Sequence, residues 1–114
     1  MKLDVVEERE HVRGRVYDIR VAEQVVSVLV TFHAMERSDR WRLTVPQVLH
    51  ALLSPEEVLR GHRGRFIAHR RKGRRLIRAV YEYDAGLAAV ITVYCPLAKR
   101  YFGGGGRYED RILS

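Results

Sequence analysis

The chain has 114 residues, of which 46% are hydrophobic, 31% are charged and one is a cysteine. This length fits one domain, and the hydrophobic share excludes a wholly disordered chain. No apolar run approaches the roughly 20 residues that a membrane-spanning helix needs, and the N-terminus is acidic rather than apolar like a signal peptide. A single cysteine excludes an internal disulfide framework and a cysteine-rich zinc site. We therefore expect one soluble, cytoplasmic domain with no membrane partner.

The charge is strongly basic and consists mainly of arginine. Lys and Arg number 21 against 14 Asp and Glu, which gives a net charge of +7 and a pI near 10.1. Only Lys2, Lys72 and Lys99 are lysines, which leaves 18 arginines. The guanidinium fork of arginine binds phosphate in a bidentate manner, which favours a nucleic-acid partner. A GC-rich or thermophilic genome produces the same excess, so composition alone leaves both explanations open.

Nine of the basic residues fall between Arg60 and Arg78, a stretch with no acidic residue. Apolar residues such as Phe66, Ile67 and Leu76 alternate with these charges, so we expect the stretch to fold rather than to form a solvated tail. A folded basic surface is typical of proteins that bind nucleic acid.

The N-terminal part of the chain predicts a β-hairpin over residues 12–32. Residues 12–20 and 25–32 are rich in β-branched side chains, which favour strands. The short Ala-Glu-Gln segment between them suits a turn.

A helical region is predicted next, over residues 33–60. Its polar start fits a helix of roughly two turns. Thr44 and Gln47 have the spacing of a capping box, which begins a clearer helix with an apolar face. A second box at 54–57 extends the helical pattern, and Gly61 ends it.

The remainder of the body, over residues 65–95, predicts a β-meander. Three segments with strand composition alternate with short turn signals: Phe66–Arg71, Arg74–Tyr83 and Leu87–Cys95. The glycines Gly103–Gly106 divide the body, residues 1–102, from a glycine-hinged tail, residues 103–114. We expect an α+β fold in which an antiparallel β-meander sheet of at least four strands carries two to three short helices on one face.

The turns of the meander determine which side chains are neighbours. A two-residue turn at Lys72-Gly73 pairs Ile67 with Arg78, and a three-residue turn at 84–86 pairs Arg78 with Thr92. Successive residues of a strand face opposite sides, so these registers divide the side chains into two groups. The face predicted to pack on the helices carries Phe66, Ala68, Ile77, Ala79, Tyr81, Leu87, Ala89, Ile91 and Val93. The other face carries Arg65, Ile67, His69, Arg71, Arg74, Leu76, Arg78, Thr92 and Tyr94. The polar groups of this second face suit a phosphate-binding surface.

A family resemblance rests on residues within 27–95. A strand ending in Thr-Phe is followed by His33-Ala34-Met35-Glu36-Arg37 at a helix start, by Ser-Pro-Glu-Glu-Val at 54–58, and by the meander. In this order the chain resembles the small bacterial and phage domains grouped with RelE-like toxins, whose wider fold group joins barnase, EndoU, colicin nucleases and RelE. The resemblance implies helices on a curved antiparallel sheet and metal-independent cleavage of RNA by the ribose 2′-hydroxyl. It also admits an antitoxin protein as a partner.

The resemblance implies catalytic roles for His33, Arg37, Arg78 and Tyr94. In this scheme Arg78 stabilises the pentacovalent phosphate and Arg37 positions it, while His33 or Tyr94 transfers protons. Substrate-binding residues are expected on the same face: Arg65, His69, Arg71, Arg74 and Thr92.

The same residues also have structural interpretations. His33 can cap its helix, and Arg37 can pair with a nearby acidic residue. Arg78 interrupts an apolar strand, where a half-buried cation needs an anionic partner, and Glu82 is the structural candidate for that partner.

No group of His, Cys or carboxylate residues has ligand spacing, so neither a metal nor a cofactor is expected. Cys95 is expected to be a small buried hydrophobe rather than a nucleophile. Two other functions stay open. One is a non-catalytic nucleic-acid-binding domain that uses the basic face, and the other is a protein-interaction module that binds an acidic partner such as an antitoxin.

Overall fold

Seven strands form one sheet in the computed structural model of the protein, which describes residues 2–101 and 106–113. The strands are β1 Leu3–His11, β2 Gly14–Val21, β3 Gln24–Thr31, β4 Glu57–Arg60, β5 Phe66–Lys72, β6 Arg75–Asp84 and β7 Leu87–Tyr94. The helices are α1 Phe32–Arg40, α2 Val45–Leu53 and α3 Ala98–Tyr101. The strand order in the sheet is β1-β2-β3-β7-β6-β5-β4.

The sheet consists of two antiparallel meanders that meet at a parallel seam. Strands β1 to β3 form one meander and β4 to β7 form the other, and β3 pairs with β7 in parallel. The α+β class agrees with the prediction, but the prediction of a wholly antiparallel meander is wrong. The helices return the chain so that β4 runs opposite to β3, and three further reversals leave β7 parallel to β3.

The N-terminal meander is larger than the predicted hairpin. Strands β2 and β3 lie within the predicted range 12–32, and Ala22 adopts the left-handed backbone at the turn between them (φ 54°). Strand β1 adds a third strand beside β2. The sequence analysis missed it because most of its side chains are exposed and many are charged.

Helices α1 and α2 cover one face of the sheet. The hydroxyl of Thr31 accepts a hydrogen bond from the amide of Ala34 at the start of α1. At the start of α2, the predicted capping box between Thr44 and Gln47 is confirmed, with both of its hydrogen bonds present. Apolar residues of both helices pack into the main core, and we call this side the helix-covered face. No helix among residues 2–101 and 106–113 is long and apolar enough to cross a membrane.

The second predicted capping box, at 54–57, does not extend the helical region. Helix α2 ends at Leu53, and the chain enters the short strand β4 at Glu57 instead. The amide of Glu56 donates to the carbonyl of His69, which aligns β4 with β5. The predicted helical range 33–60 is therefore wrong at its C-terminal end, because pairing with a strand later in the chain overrides the local pattern.

The first hairpin of the second meander differs from its predicted register by two residues. Its turn is formed by Gly73 and Arg74, so that Arg78 lies opposite His69 rather than opposite Ile67. Gly73 has a positive φ of 62°, which glycine adopts without strain. A slip of two residues leaves every side chain on its predicted face, because the side-chain period of a strand is two.

The second hairpin contains a bulge that changes the faces of three predicted core residues. Its turn has two residues rather than three, and the register shifts between Val80 and Tyr81. Leu87, Ala89 and Ile91 consequently pack in a small second cluster away from the helices, and their predicted position on the helix-covered face is wrong. Beyond the bulge the predicted alternation returns, and Val93 lies in the main core.

The C-terminal residues dock on the second meander. The amide of Val58 donates to the carbonyl of Arg107, and the amide of Glu109 donates to the carbonyl of Val58. Beyond this pairing, the carboxylate of Asp110 accepts hydrogen bonds from two tyrosine hydroxyls, as described below. Of the predicted glycine hinge only Gly106 belongs to the described residues, and Gly103–Gly105 lie outside them.

Candidate active site

Four polar side chains form a line across the four strands of the second meander. Glu57, His69, Arg78 and Tyr94 are consecutive register partners on β4, β5, β6 and β7. We call these four residues the polar row. Ile77 and Val93, the strand neighbours of two of them, face the main core, so the polar row lies on the opposite side of the sheet, which we call the open face.

Three of the four side chains of the polar row are buried even though they lie on the open face, and Tyr94 is half-buried. His69 has no exposed surface, and Glu57 and Arg78 are each 4% exposed. Burial of ionisable groups is costly unless they are paired, so each of the three raises the question of its partner.

His69 and Glu57 form a close pair. The Nε2 atom of His69 lies 2.9 Å from Oε1 of Glu57. Burial lowers the pKa of His69 below its usual value, and the charge of Arg78 acts in the same direction, against the opposing effect of Glu57. The imidazole is therefore neutral near pH 7. With Glu57 as a carboxylate, Nε2 carries the proton and Nδ1 has the lone pair of a base.

Arg78 is a buried cation that lacks an anionic partner in the described part of the chain. Its Nε atom is fully buried and has no hydrogen-bond partner among the described residues. Its Cζ atom lies 5.4 Å from the ring centre of Tyr94 and 4.6 Å from that of Tyr101. Cation–π contacts of this kind offset only part of the cost of burying a charge. The guanidinium therefore favours an additional anion.

Helix α3 covers the polar row at Arg78. After β7, the carbonyl of Pro96 accepts a hydrogen bond from the amide of Leu76, and the amide of Ala98 donates to the carbonyl of Arg74. These two hydrogen bonds hold the chain beside the start of β6, and α3 then places the Tyr101 ring over Arg78. Tyr101 was not among the predicted site residues, because a contact between a strand and a later helical turn has no local pattern.

The structure separates the four predicted catalytic residues into two groups. Arg78 and Tyr94 lie in the polar row. His33 and Arg37 lie on α1, which packs through Ala34 into the main core on the helix-covered face. The sheet therefore stands between the two groups, and His33 and Arg37 do not join the polar row.

The predicted substrate-binding residues are on or beside the open face, and most of them already have partners. Arg65 pairs with Glu82 at 2.9 Å. Arg71 pairs with Glu56 at 3.4 Å. Arg74 is exposed in the hairpin turn and Thr92 is half-buried opposite Val80, while His69 belongs to the polar row. Glu82 thus pairs with Arg65 and not with Arg78.

Glu57 is the member of the polar row that sequence reasoning missed. The sequence pattern predicts a helix at this position, and a helical residue has no partner on a neighbouring strand. Once β4 is known, the alternation of Glu57, Val58 and Leu59 places the glutamate on the open face and Val58 in the core. The apolar pair Val58 and Leu59 was the only sequence signal for this strand.

Among residues 2–101 and 106–113, no three His, Cys, Asp or Glu side chains are arranged to hold a metal ion. Comparison of the chain with protein-family models, with curated proteins and with solved structures gives no match.

Proposed function

We propose that the protein is a metal-independent endoribonuclease that cleaves RNA at the polar row. The observation that carries this proposal is Arg78, a buried guanidinium with no hydrogen-bonded anion in the described chain, placed beside the His69–Glu57 pair. A phosphodiester supplies the missing anion, and the neighbouring histidine supplies a base.

The chemistry requires three functions from the polar row. RNA binding must first uncover His69, which has no exposed surface in this structure. His69, neutral and oriented by Glu57, then removes the proton from the ribose 2′-hydroxyl. The 2′-oxygen attacks the phosphorus, and the guanidinium of Arg78 stabilises the charge that develops on the pentacovalent phosphate. The hydroxyl of Tyr94 protonates the departing 5′-oxygen, so that the products carry a 2′,3′-cyclic phosphate and a free 5′-hydroxyl.

The order of the strands places the proposed base, the phosphate-binding arginine and the proposed acid next to one another in the sheet. Arg78 lies between His69 and Tyr94, each one strand away, so base and acid are about 10 Å apart at the backbone with the phosphate between them. An in-line displacement needs its base and its acid on opposite sides of the phosphorus. The positions of His69 and Tyr94 on either side of Arg78 support such an arrangement.

Cleavage of a short RNA in the presence of EDTA tests the proposal. We expect cleavage without added metal, products ending in a 2′,3′-cyclic phosphate, and no cleavage where the 2′-hydroxyl is replaced by hydrogen. Cleavage of the 2′-deoxy substrate would contradict the mechanism. Salt-sensitive binding to RNA without cleavage would favour the non-catalytic nucleic-acid-binding function instead, and binding only to an acidic protein would favour the interaction module.

A further inference from the structure

A cleft adjoins the polar row on the open face. Its volume is about 550 Å³, which falls within the range of small-ligand sites. Its lining consists of the loop between β4 and β5 and two strand residues: Gly61, His62, Arg63, Arg65, Ile67 and Val80.

The floor of the cleft is apolar and in register with the polar row. Ile67 and Val80 are direct partners across β5 and β6, as are His69 and Arg78. Each floor residue is two positions from its neighbour in the polar row, on the same face. That separation is about 7 Å along the strands, roughly the distance from a phosphate to the base of its own nucleotide.

The rim of the cleft is cationic and partly fixed in place. The Nε atom of Arg65 donates to Glu82 at 2.9 Å, which holds the plane of that guanidinium. Arg63 adopts the left-handed backbone (φ 58°), is exposed, and makes no ion pair with any described residue. Guanidinium planes are surfaces on which unpaired RNA bases stack.

We infer that this cleft is a nucleoside subsite that receives the base on the 5′ side of the cleaved phosphate. The inference rests on the proposed function, because the phosphate of the same nucleotide lies at Arg78. A ribose next to His69 directs its base along β5 and β6 toward Ile67 and Val80. An apolar floor with arginines at the rim fits a flat heteroaromatic ring better than it fits a chain of carboxylates, which would leave the floor uncovered.

Calorimetric titration of the whole protein tests the inference, with inorganic phosphate and the four ribonucleoside 3′-monophosphates as probes. We expect at least one nucleotide to bind about tenfold or more tightly than phosphate, the scale of one stacked base. The substitution Val80→Phe, which fills the cleft, should remove this advantage and leave phosphate binding unchanged. Val25→Phe, at an exposed position of β3, is the matched control and should bind as the wild type does.

The possible results distinguish failure of the nucleoside subsite from failure of the proposed function. Both proposals are supported if Arg78→Ala loses phosphate binding and if Val80→Phe loses the tighter binding of nucleotides that wild type shows. If nucleotides bind no more tightly than phosphate, or if Val80→Phe retains the advantage, the nucleoside subsite is wrong while the phosphate site stands. If phosphate and nucleotides bind equally well to wild type and Arg78→Ala, the proposed function is wrong.

Discussion

His69 and Glu57 face each other across the β4–β5 pair with 2.9 Å between Nε2 and Oε1, and the imidazole has no contact with solvent. A histidine in this position is neutral in the folded protein because burial lowers its pKa below the usual value of 6.5. In the unfolded chain the same histidine takes up a proton near its ordinary pKa of about 6.5. This difference makes the stability of the fold depend on pH.

We therefore expect His69 to stabilise the folded state above pH 6.5 and to lose that contribution as the pH falls from 6.5 toward its lowered folded pKa. Urea denaturation of wild type and His69→Gln between about pH 5 and about pH 8 measures the effect. The gap between the two free energies of unfolding should narrow at acidic pH. The pKa of His50 is also lowered, chiefly by burial, but His50 is present in both proteins and cancels in the comparison. A gap that is constant with pH would show that His69 titrates normally.

Replacement of Arg78 is the sharpest test of catalysis. Arg78→Ala should reduce kcat/KM for RNA by a hundredfold or more, or about 2.7–4 kcal/mol, by analogy with the loss of an oxyanion donor. Arg78→Lys keeps the charge but loses the planar fork, and we expect an intermediate loss. Arg20→Ala removes an exposed arginine of β2, outside the second meander, and serves as the control. Equal activity of Arg78→Ala and Arg20→Ala, both folded by circular dichroism, would exclude Arg78 from the reaction.

The affinity for RNA should fall steeply as salt rises, because cations on the basic segment displace counterions from the phosphates. Exposed cations without an ion pair in the described chain include Arg63, Lys72 and Arg74. Replacing one of them by alanine should reduce the slope of log affinity against log salt by about 0.7 for a single strand. Fluorescence anisotropy with a labelled RNA measures the slope. An affinity independent of salt would contradict an electrostatic interface.

Tyr101 should limit access to the phosphate site. Its ring lies over Arg78, so a phosphate bound there as proposed would have to displace it. Tyr101→Ala removes a cation–π contact worth about 0.5–2 kcal/mol and should tighten phosphate binding between about twofold and thirtyfold. Tyr101→Phe retains the ring and should bind like wild type. Weaker binding in Tyr101→Ala would mean that the ring belongs to the site rather than covering it.

Asp110 anchors the C-terminal residues to β6. Its Oδ2 atom accepts from the hydroxyl of Tyr81 at 2.7 Å and from that of Tyr83 at 2.6 Å. Burial first, and the carboxylate second, raise the pKa of both hydroxyls, which keeps them protonated as donors. Asp110→Asn should lower the free energy of unfolding by about 1.5–3 kcal/mol, the scale of a hydrogen bond to a charged group. Chemical denaturation measures the loss, and Glu109→Gln, with its exposed carboxylate, should change little.

The sequence predicted individual residues better than it predicted their neighbours. Arg78 could be singled out because an arginine in an apolar strand is conspicuous, and Thr44 because capping has a local pattern. The partners of Arg78 could not be predicted, because a shift of the turn by one or two residues changes which side chains lie opposite it. The family resemblance favoured His33 over His69 as a catalytic residue, yet the chain folds with the sheet between His33 and the polar row.

The same reasoning explains the missed strands. A four-residue strand such as β4 exists only because β5 lies beside it, and the segment alone favours a helix as much as a strand. Strand β1 is mostly exposed, so it lacks the alternating apolar pattern that identifies a strand from sequence. Both β1 and β4 therefore form through pairing with a neighbouring strand rather than through a local sequence pattern.

The parallel seam between β3 and β7 has a consequence for the order of folding. Its register pairs, such as Leu29 with Ala89, join residues 60 positions apart, whereas neighbouring strands within either meander are linked by short turns or loops. Closing so large a loop costs conformational entropy before any contact offsets it, so local hairpins form faster. The polar row belongs wholly to the second meander, so its four side chains can come into line before the two halves of the sheet meet.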